Sequence, residues 1–369
     1  MIYFLGQYLH AHYPGALSFL RLTEYISARA IGAALTAILL TLYLTPVFIR
    51  FLHRKGMVDK WRNTGVASAF DKAGTPAMGG AIIVGCVLFS CLLWCNLSNT
   101  FLTTALLGMV WFGFIGFMDD LAKTKTGSGD TGMSEKGKLL MQAGFAAALV
   151  LFLVSSWSPL PAEQLGAFYI PFVKVPIFQS VWLYAPIIFF FVIVVGNSVN
   201  ITDGMDGLAI VPSVFVIGVL GAFGYLLGNT IWSRYLNYPF LPGVGELTVF
   251  ASAFAGTGIA FLWFNAYPAQ IFMGDTGSMA IGGAIAVLSV VLQQEVLFLI
   301  LGGLFVAEAL TSQIQDKIGI RWLGRRLFRR APLHHQMQHN GLAETKVVIR
   351  LWIVSGILAL AALATLKLR

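Results

Sequence analysis

Five aspartates hold most of the chemistry this chain can offer. Asp119 and Asp120 close an apolar run nearly long enough to cross a bilayer, and Asp203, Asp206 and Asp275 stand at the ends of other apolar runs. A charge at the bilayer centre costs about 2.5–3.5 kcal/mol on insertion scales, and less near the interface. Carboxylates gathered at such a boundary therefore suggest a bound cation and, through it, an anionic ligand. Oxygen donors suit Mg²⁺, which usually keeps several waters and completes its shell with substrate phosphates. The metal neutralises charge on a transferring phosphoryl group and aligns the attacking and leaving oxygens. Phosphoryl transfer is the chemistry these residues suggest.

Three further stretches supply partners for it. Asn197 through Gly207 places two Asn, two Asp and two Gly directly after an apolar span. Its amides can donate to phosphate or uracil oxygens, its carboxylates can meet metal or ribose hydroxyls, and Gly204 and Gly207 permit a tight turn. The run Ala331-Pro332-Leu333-His334-His335, with His339 behind it, offers neutral imidazole for metal or imidazolium for phosphate. Between Arg321 and Arg330 lie five arginines. If helical, Arg321, Arg325 and Arg329 form one stripe and Leu323 and Leu327 another, which suits either anionic head groups or a substrate phosphate.

The elements that must hold these residues are membrane helices. The chain is 57% hydrophobic and 11% charged, with a mean hydropathy of +0.79, against roughly 25% charged in an average soluble domain. The start, Met1 to Leu20, is broken by His10, His12 and Pro14 and has no charged leader, so no cleavable signal peptide is expected. Cys86, Cys91 and Cys95 share one apolar segment and read as packing residues, not as a disulfide framework. Ten apolar segments approach the ~20 residues a span needs: Ile31–Ile49, Met78–Leu97, Leu102–Met118, Leu139–Trp157, Val181–Val199, Leu208–Leu227, Leu247–Phe264, Met279–Leu292, Val296–Ile314 and Val347–Leu366. The eighth is short, and only Gln293, Gln294 and Glu295 part it from the ninth, which predicts a tight helical hairpin. The whole of 1–369 reads as one polytopic all-α membrane domain.

Charge orients it. The first, third and ninth loops hold 18 of the 24 Lys and Arg residues, while the even loops hold only Lys174 and Arg234. The positive-inside rule then places odd loops in the cytoplasm and both termini outside. All five aspartates fall on the cytoplasmic side, at the ends of separate helices.

The motifs Gly74-Thr75-Pro76-Ala77-Met78-Gly79-Gly80, Asp119-Asp120, Asn200 through Gly207, Phe264 through Ala269, Phe272 through Ser278 and Pro332-Leu333-His334-His335 occur in this order. Together, over nearly the whole chain, they resemble the phospho-N-acetylmuramoyl-pentapeptide transferases, within the polyprenyl-phosphate N-acetylhexosamine-1-phosphate transferases. The resemblance implies ten transmembrane helices, a homodimer in the bacterial inner membrane, and transfer of phospho-N-acetylmuramoyl-pentapeptide from UDP to undecaprenyl phosphate. The products are lipid I and UMP, the cofactor is Mg²⁺, and nucleic acid has no part in it. It implies Asp119, Asp120, Asp275 and His335 as catalytic, with Asp275 the leading metal ligand and Asp120 on the metal side. Lys72, Lys138, Asn200, Asp203, Asp206, Asn265 and His334 would bind substrate, and Glu308 would support them from behind. Ala77 stands where many members have Thr, and Gln336 and Gln338 replace a third His and a Glu.

Two rivals stay open on sequence. A sister transferase would use UDP-N-acetylglucosamine, against which the Pro332–His335 run argues. A cation-coupled transporter would place its acids near the midplane, at broken helices with repeat symmetry, and no inverted repeat is visible here.

Overall fold

The structure is a computed structural model that describes residues 1–12, 18–58, 74–126 and 132–368. It is a helical bundle. In chain order the helices are α1 (Ile2–His12), α2 (Ile26–Arg54), α3 (Gly80–Trp94), α4 (Thr100–Thr126), α5 (Glu135–Val154), α6 (Val181–Thr202), α7 (Ile210–Leu227), α8 (Thr230–Tyr235), α9 (Glu246–Asn265), α10 (Gly274–Val291), α11 (Glu295–Leu301), α12 (Gly303–Gln313), α13 (Leu333–His339) and α14 (Glu344–Ala364). A π-helical stretch, Ile314–Trp322, continues α12. The α5–α6 connection carries a two-strand ribbon, β1 (Ala167–Phe168) with β2 (Phe178–Gln179), antiparallel with Phe168 opposite Phe178.

Each of the ten apolar segments falls on a helix or on a pair of helices. Among the described residues, eight helices are long and apolar enough to cross a membrane, or nine when one bent pair counts as a span; α3, with 15 residues, is apolar but shorter. The chain is a multi-pass, all-α membrane protein. Two expectations change. The eighth span is not short: α10 begins at Gly274, because a polar first turn (Gly-Asp-Thr-Gly-Ser) joins the apolar run. The ninth, read as one segment over Val296–Ile314, is two helices: α11 and the following helix meet at 86°, at Gly302-Gly303, where small residues free the backbone to kink. The turn between the two spans is tight, with Gln293 at φ 56°.

Burial ranks the helices. Within its span α10 is 89% buried, against 22% for α2 and for α5, so α10 is the central post and those two face lipid. α4 meets it at backbone distance: a Cβ on Gly116 would lie 2.1 Å from the Asp275 carbonyl oxygen, and one on Gly80 of α3 would lie 1.9 Å from the Gly277 nitrogen. Small residues permit such approach, and dispersion between backbones holds helices together where lipid removes the hydrophobic drive. The effect is to bring Asp275 directly against α4.

The end of the bundle opposite these aspartates is locked by a buried ion pair. Arg29 of α2 donates to Glu246 of α9 through both terminal nitrogens, at 2.7 and 2.6 Å, and the Asn96 backbone N–H donates to the same carboxylate at 3.0 Å. The Arg29 guanidinium also lies 4.6 Å from the Tyr3 ring centre.

Candidate active site

Asp119 and Asp275 share two cations. Lys123 Nζ lies 2.8 Å from Asp119 Oδ2 and 3.0 Å from Asp275 Oδ2; Lys138 Nζ lies 2.7 Å and 3.2 Å from the same two atoms. The other oxygen of Asp119 accepts from the Met133 backbone N–H at 2.6 Å. Asp119 is 0% exposed, whereas the Asp275 side chain keeps 19%. Local sequence explains half of this. Lys123 follows Asp119 by four residues on α4, so one helix turn stacks them. Lys138 arrives from the first turn of α5, which Ser134 starts by accepting from the Gly137 N–H at 3.2 Å.

Asp120 points elsewhere, as two adjacent helical residues about 100° apart must. Its Oδ1 accepts from the Asp275 N–H at 3.1 Å, and its Oδ2 from the Thr276 N–H at 2.9 Å and the Thr276 hydroxyl at 2.6 Å. It thus caps α10, satisfying first-turn donors and meeting the positive end of the helix dipole. Gly274, at φ 72°, lets the chain enter that cap. The Gly74–Gly80 motif lies alongside: Gly79 and Gly80 donate to the Phe272 and Met273 carbonyls, each at 2.8 Å, and Phe272 donates to Pro76 at 2.8 Å. Two motifs far apart in sequence form one backbone-paired unit.

The third motif is wired to α10 and α9. Asn200 donates to Ser278 at 2.9 Å. Half-buried Asp203 ends α6. Buried Asp206 accepts from the Ala269 N–H at 3.1 Å, while its own N–H donates to Glu344 at 3.2 Å. Asn265 accepts from the Gly207 N–H at 3.1 Å and donates to the Ile271 carbonyl at 2.9 Å. Trp352 donates to the Gly207 carbonyl at 3.2 Å.

The histidines close the group. His334 is 1% exposed and Glu308 0%. Glu308 accepts from the His334 backbone N–H at 3.2 Å and lies 3.0 Å from its Nδ1. A carboxylate partner requires the proton on Nδ1 and leaves Nε2 facing inward. That Nε2 has no hydrogen-bond partner among the described residues, and a Cβ on Gly204 would come within 2.3 Å of it. Glycine at 204 is what lets the imidazole reach the Asp203–Asp206 turn. His335, its ring centre 4.3 Å from that of His334, is pushed down to about 4 by burial and then by the charge of its neighbour. It is neutral near pH 7, so it can donate or accept a hydrogen bond.

Asp119, Asp120, Asp275 and Lys138 therefore meet at one place. Asn200, Asp203, Asp206, Asn265, His334 and His335 follow along the same end of the bundle. Lys72 lies outside the described residues. Of the groups that hold this arrangement, Lys123 was readable only as a loop charge, although its spacing from Asp119 marks a helix pair. Thr276 and Ser278 lay inside a quoted motif but without a role, and Glu344 and Trp352 had no signal, because their partners are remote in sequence.

A membrane-embedded helical bundle with acids, lysines and histidines converging on one end has the design of a transferase that works on lipid-borne phosphate. Residues 102–293, just over half of the chain, match glycosyl transferase family 4, and the chain belongs to that family. It is a multi-pass membrane phosphoglycosyl transferase, which moves a sugar phosphate onto a polyprenyl phosphate.

Proposed function

We propose that this enzyme transfers phospho-N-acetylmuramoyl-pentapeptide from its UDP-linked donor to undecaprenyl phosphate, giving lipid I and UMP, at the cytoplasmic face of the bacterial inner membrane. The observation that carries the reading is the pair of carboxylates, Asp119 and Asp275, bridged by two lysines at the same end of the bundle as the histidine motif. The Pro332–His335 run favours the muramoyl donor over a plain N-acetylglucosamine donor.

The donor set fits Mg²⁺. Asp119 and Asp275 offer two carboxylates side by side, and among the described residues no group of three His, Cys, Asp or Glu is placed to hold a metal ion by itself; Mg²⁺ is held by one or two carboxylates when substrate phosphates complete its shell. Asp275, partly exposed, is the proposed ligand, with Asp119 beside it. Asp120, expected on the metal side, is reassigned to bracing Asp275, because both its oxygens already hold the first turn of α10. Bound there, Mg²⁺ supplies charge neutralisation on the diphosphate.

The remaining work falls to side chains. Lysine is a flexible, compact cation. On arrival of the two phosphate substrates, Lys123 and Lys138 pass from the carboxylates to phosphate oxygens, which uncovers Asp119 and Asp275. Asp119 accepts the proton of a monoprotonated prenyl phosphate. The freed phosphate oxygen attacks the sugar-side phosphorus of the donor, the bond to the bridging oxygen breaks, and UMP leaves with that electron pair. The Asn200–Gly207 turn and His334 take the nucleotide and sugar.

UMP release in detergent, with undecaprenyl phosphate and each of the two UDP-sugars, tests this. The muramoyl-pentapeptide donor should turn over. Turnover of UDP-N-acetylglucosamine alone would assign the sister reaction, and release of UMP from neither would remove the transferase reading.

A further inference from the structure

The arginine-rich stretch takes no part in the chemistry above, and its fold is not the expected stripe. Helix ends at Trp322, and Gly324, at φ 63°, turns the chain back. One buried side chain pins the return: Gln315 Oε1 accepts from the Leu327 and Phe328 N–H groups at 3.1 and 3.0 Å, and its Nε2 donates to the Phe328 carbonyl at 3.1 Å. The Leu323 N–H donates to Ile318 at 2.9 Å and the Arg325 N–H to Gly319 at 3.0 Å. The result is a closed hairpin over 314–330.

Its surface is both cationic and apolar. Lys317, Arg321, Arg325, Arg326, Arg329 and Arg330 are all exposed, against the single acid Asp316. Among the described residues none of the six is in an ion pair. Ile318, Ile320, Leu323 and Leu327 are each 41–47% exposed and Trp322 80%. Water alone leaves that apolar surface bare. A neutral lipid surface would cover it but leave the cations without counter-charge. An acidic head-group layer satisfies both, with Trp and the aliphatic side chains at the level where aromatic belts sit and the arginines on phosphate. The hairpin also continues a helix whose Leu310 is exposed, so it is tethered at the membrane edge.

We propose that the 314–330 hairpin is a preformed docking surface for anionic phospholipid head groups, held in shape by Gln315. It is joined to the candidate site at both ends: it continues α12, which carries Glu308, and the Arg330 N–H donates to Gln336 Oε1 at 2.8 Å on the helix that carries His334.

The test uses the full chain in nanodiscs, with an NBD fluorophore on Leu323→Cys in a background lacking the three native cysteines. Changing the lipid from pure phosphatidylcholine to about 30 mol% phosphatidylglycerol should shift NBD emission to the blue by roughly 10 nm or more, the sense expected for burial at the interface. High salt should reverse the shift. Arg325→Gln/Arg326→Gln/Arg329→Gln should abolish it, and the same three changed to Lys should keep it. If the Gln variant does not fold, the salt reversal on the unsubstituted hairpin decides alone. Equal emission in both lipids would overturn the proposal, as would a shift that salt leaves unchanged. So would a shift produced in pure phosphatidylcholine by millimolar inorganic phosphate, which would mark a soluble-anion site.

Discussion

Asp119 and Asp275 share two ammonium groups, which occupy one oxygen of each carboxylate. The histidine pair has a different logic. Glu308 fixes the His334 proton on Nδ1, and for metal-bound imidazoles losing such an orienting carboxylate costs on the order of 10- to 100-fold. Glu308→Ala should lower kcat by about that factor and move the pH profile of kcat, whereas Glu308→Gln should keep part of the activity; a pH profile unmoved in both variants would make Glu308 a packing residue. His335 carries a pH signature in stability. Its folded-state value, about 4, lies below the ordinary 6.5, so the neutral form favours the fold. That contribution is present above pH 6.5 and is lost as pH falls towards 4. Thermal unfolding of wild type against His335→Gln should show a steeper loss of Tm for the wild type across this window; parallel curves would refute it.

At the scale of elements, the site depends on how closely α4, α3 and α10 approach. Gly116→Ala would drive a methyl group against the Asp275 carbonyl oxygen, and overpacking of this kind typically costs about 1–3 kcal/mol. We expect a lower Tm together with a large loss of UMP release, and a variant that unfolds earlier yet keeps full turnover would show that this contact does not place Asp275. The ten helical segments were legible because a bilayer imposes a length and an apolar composition that sequence displays directly. The start of α10 was not, since its first turn is polar and its cap, Asp120, lies 155 residues before Asp275. The 86° bend was hidden for a similar reason: Gly302-Gly303 permits a kink, but tertiary packing chooses it. In the site, the aspartates stood out by their cost in a membrane. The roles of Asp120, Asn265 and Glu344 as braces could not be read, because each depends on which backbone N–H groups the fold brings near.

Across the described residues, the aspartates of the candidate site with Lys123 and Lys138 fall at one end and the Arg29–Glu246 lock at the other. The charge distribution predicts that the aspartate end is cytoplasmic. A cysteine placed at exposed Lys136, in a background free of the native cysteines, should react with an impermeant maleimide only from the cytoplasmic side; labelling from outside would put every aspartate away from the nucleotide pool. The central claim is that the shared carboxylate–lysine cluster is the phosphoryl-transfer centre and that Asp275 holds its metal. UMP release over a Mg²⁺ titration, for wild type and Asp275→Asn in detergent, tests it most directly. The wild type should need Mg²⁺ and lose turnover in EDTA, while Asp275→Asn should insert and purify normally yet stay about 10²–10³-fold slower at every Mg²⁺ concentration, the scale of loss seen when a charge-stabilising group is removed from a transition state. An Asp275→Asn enzyme near wild-type turnover, or full wild-type activity in EDTA, would contradict the claim.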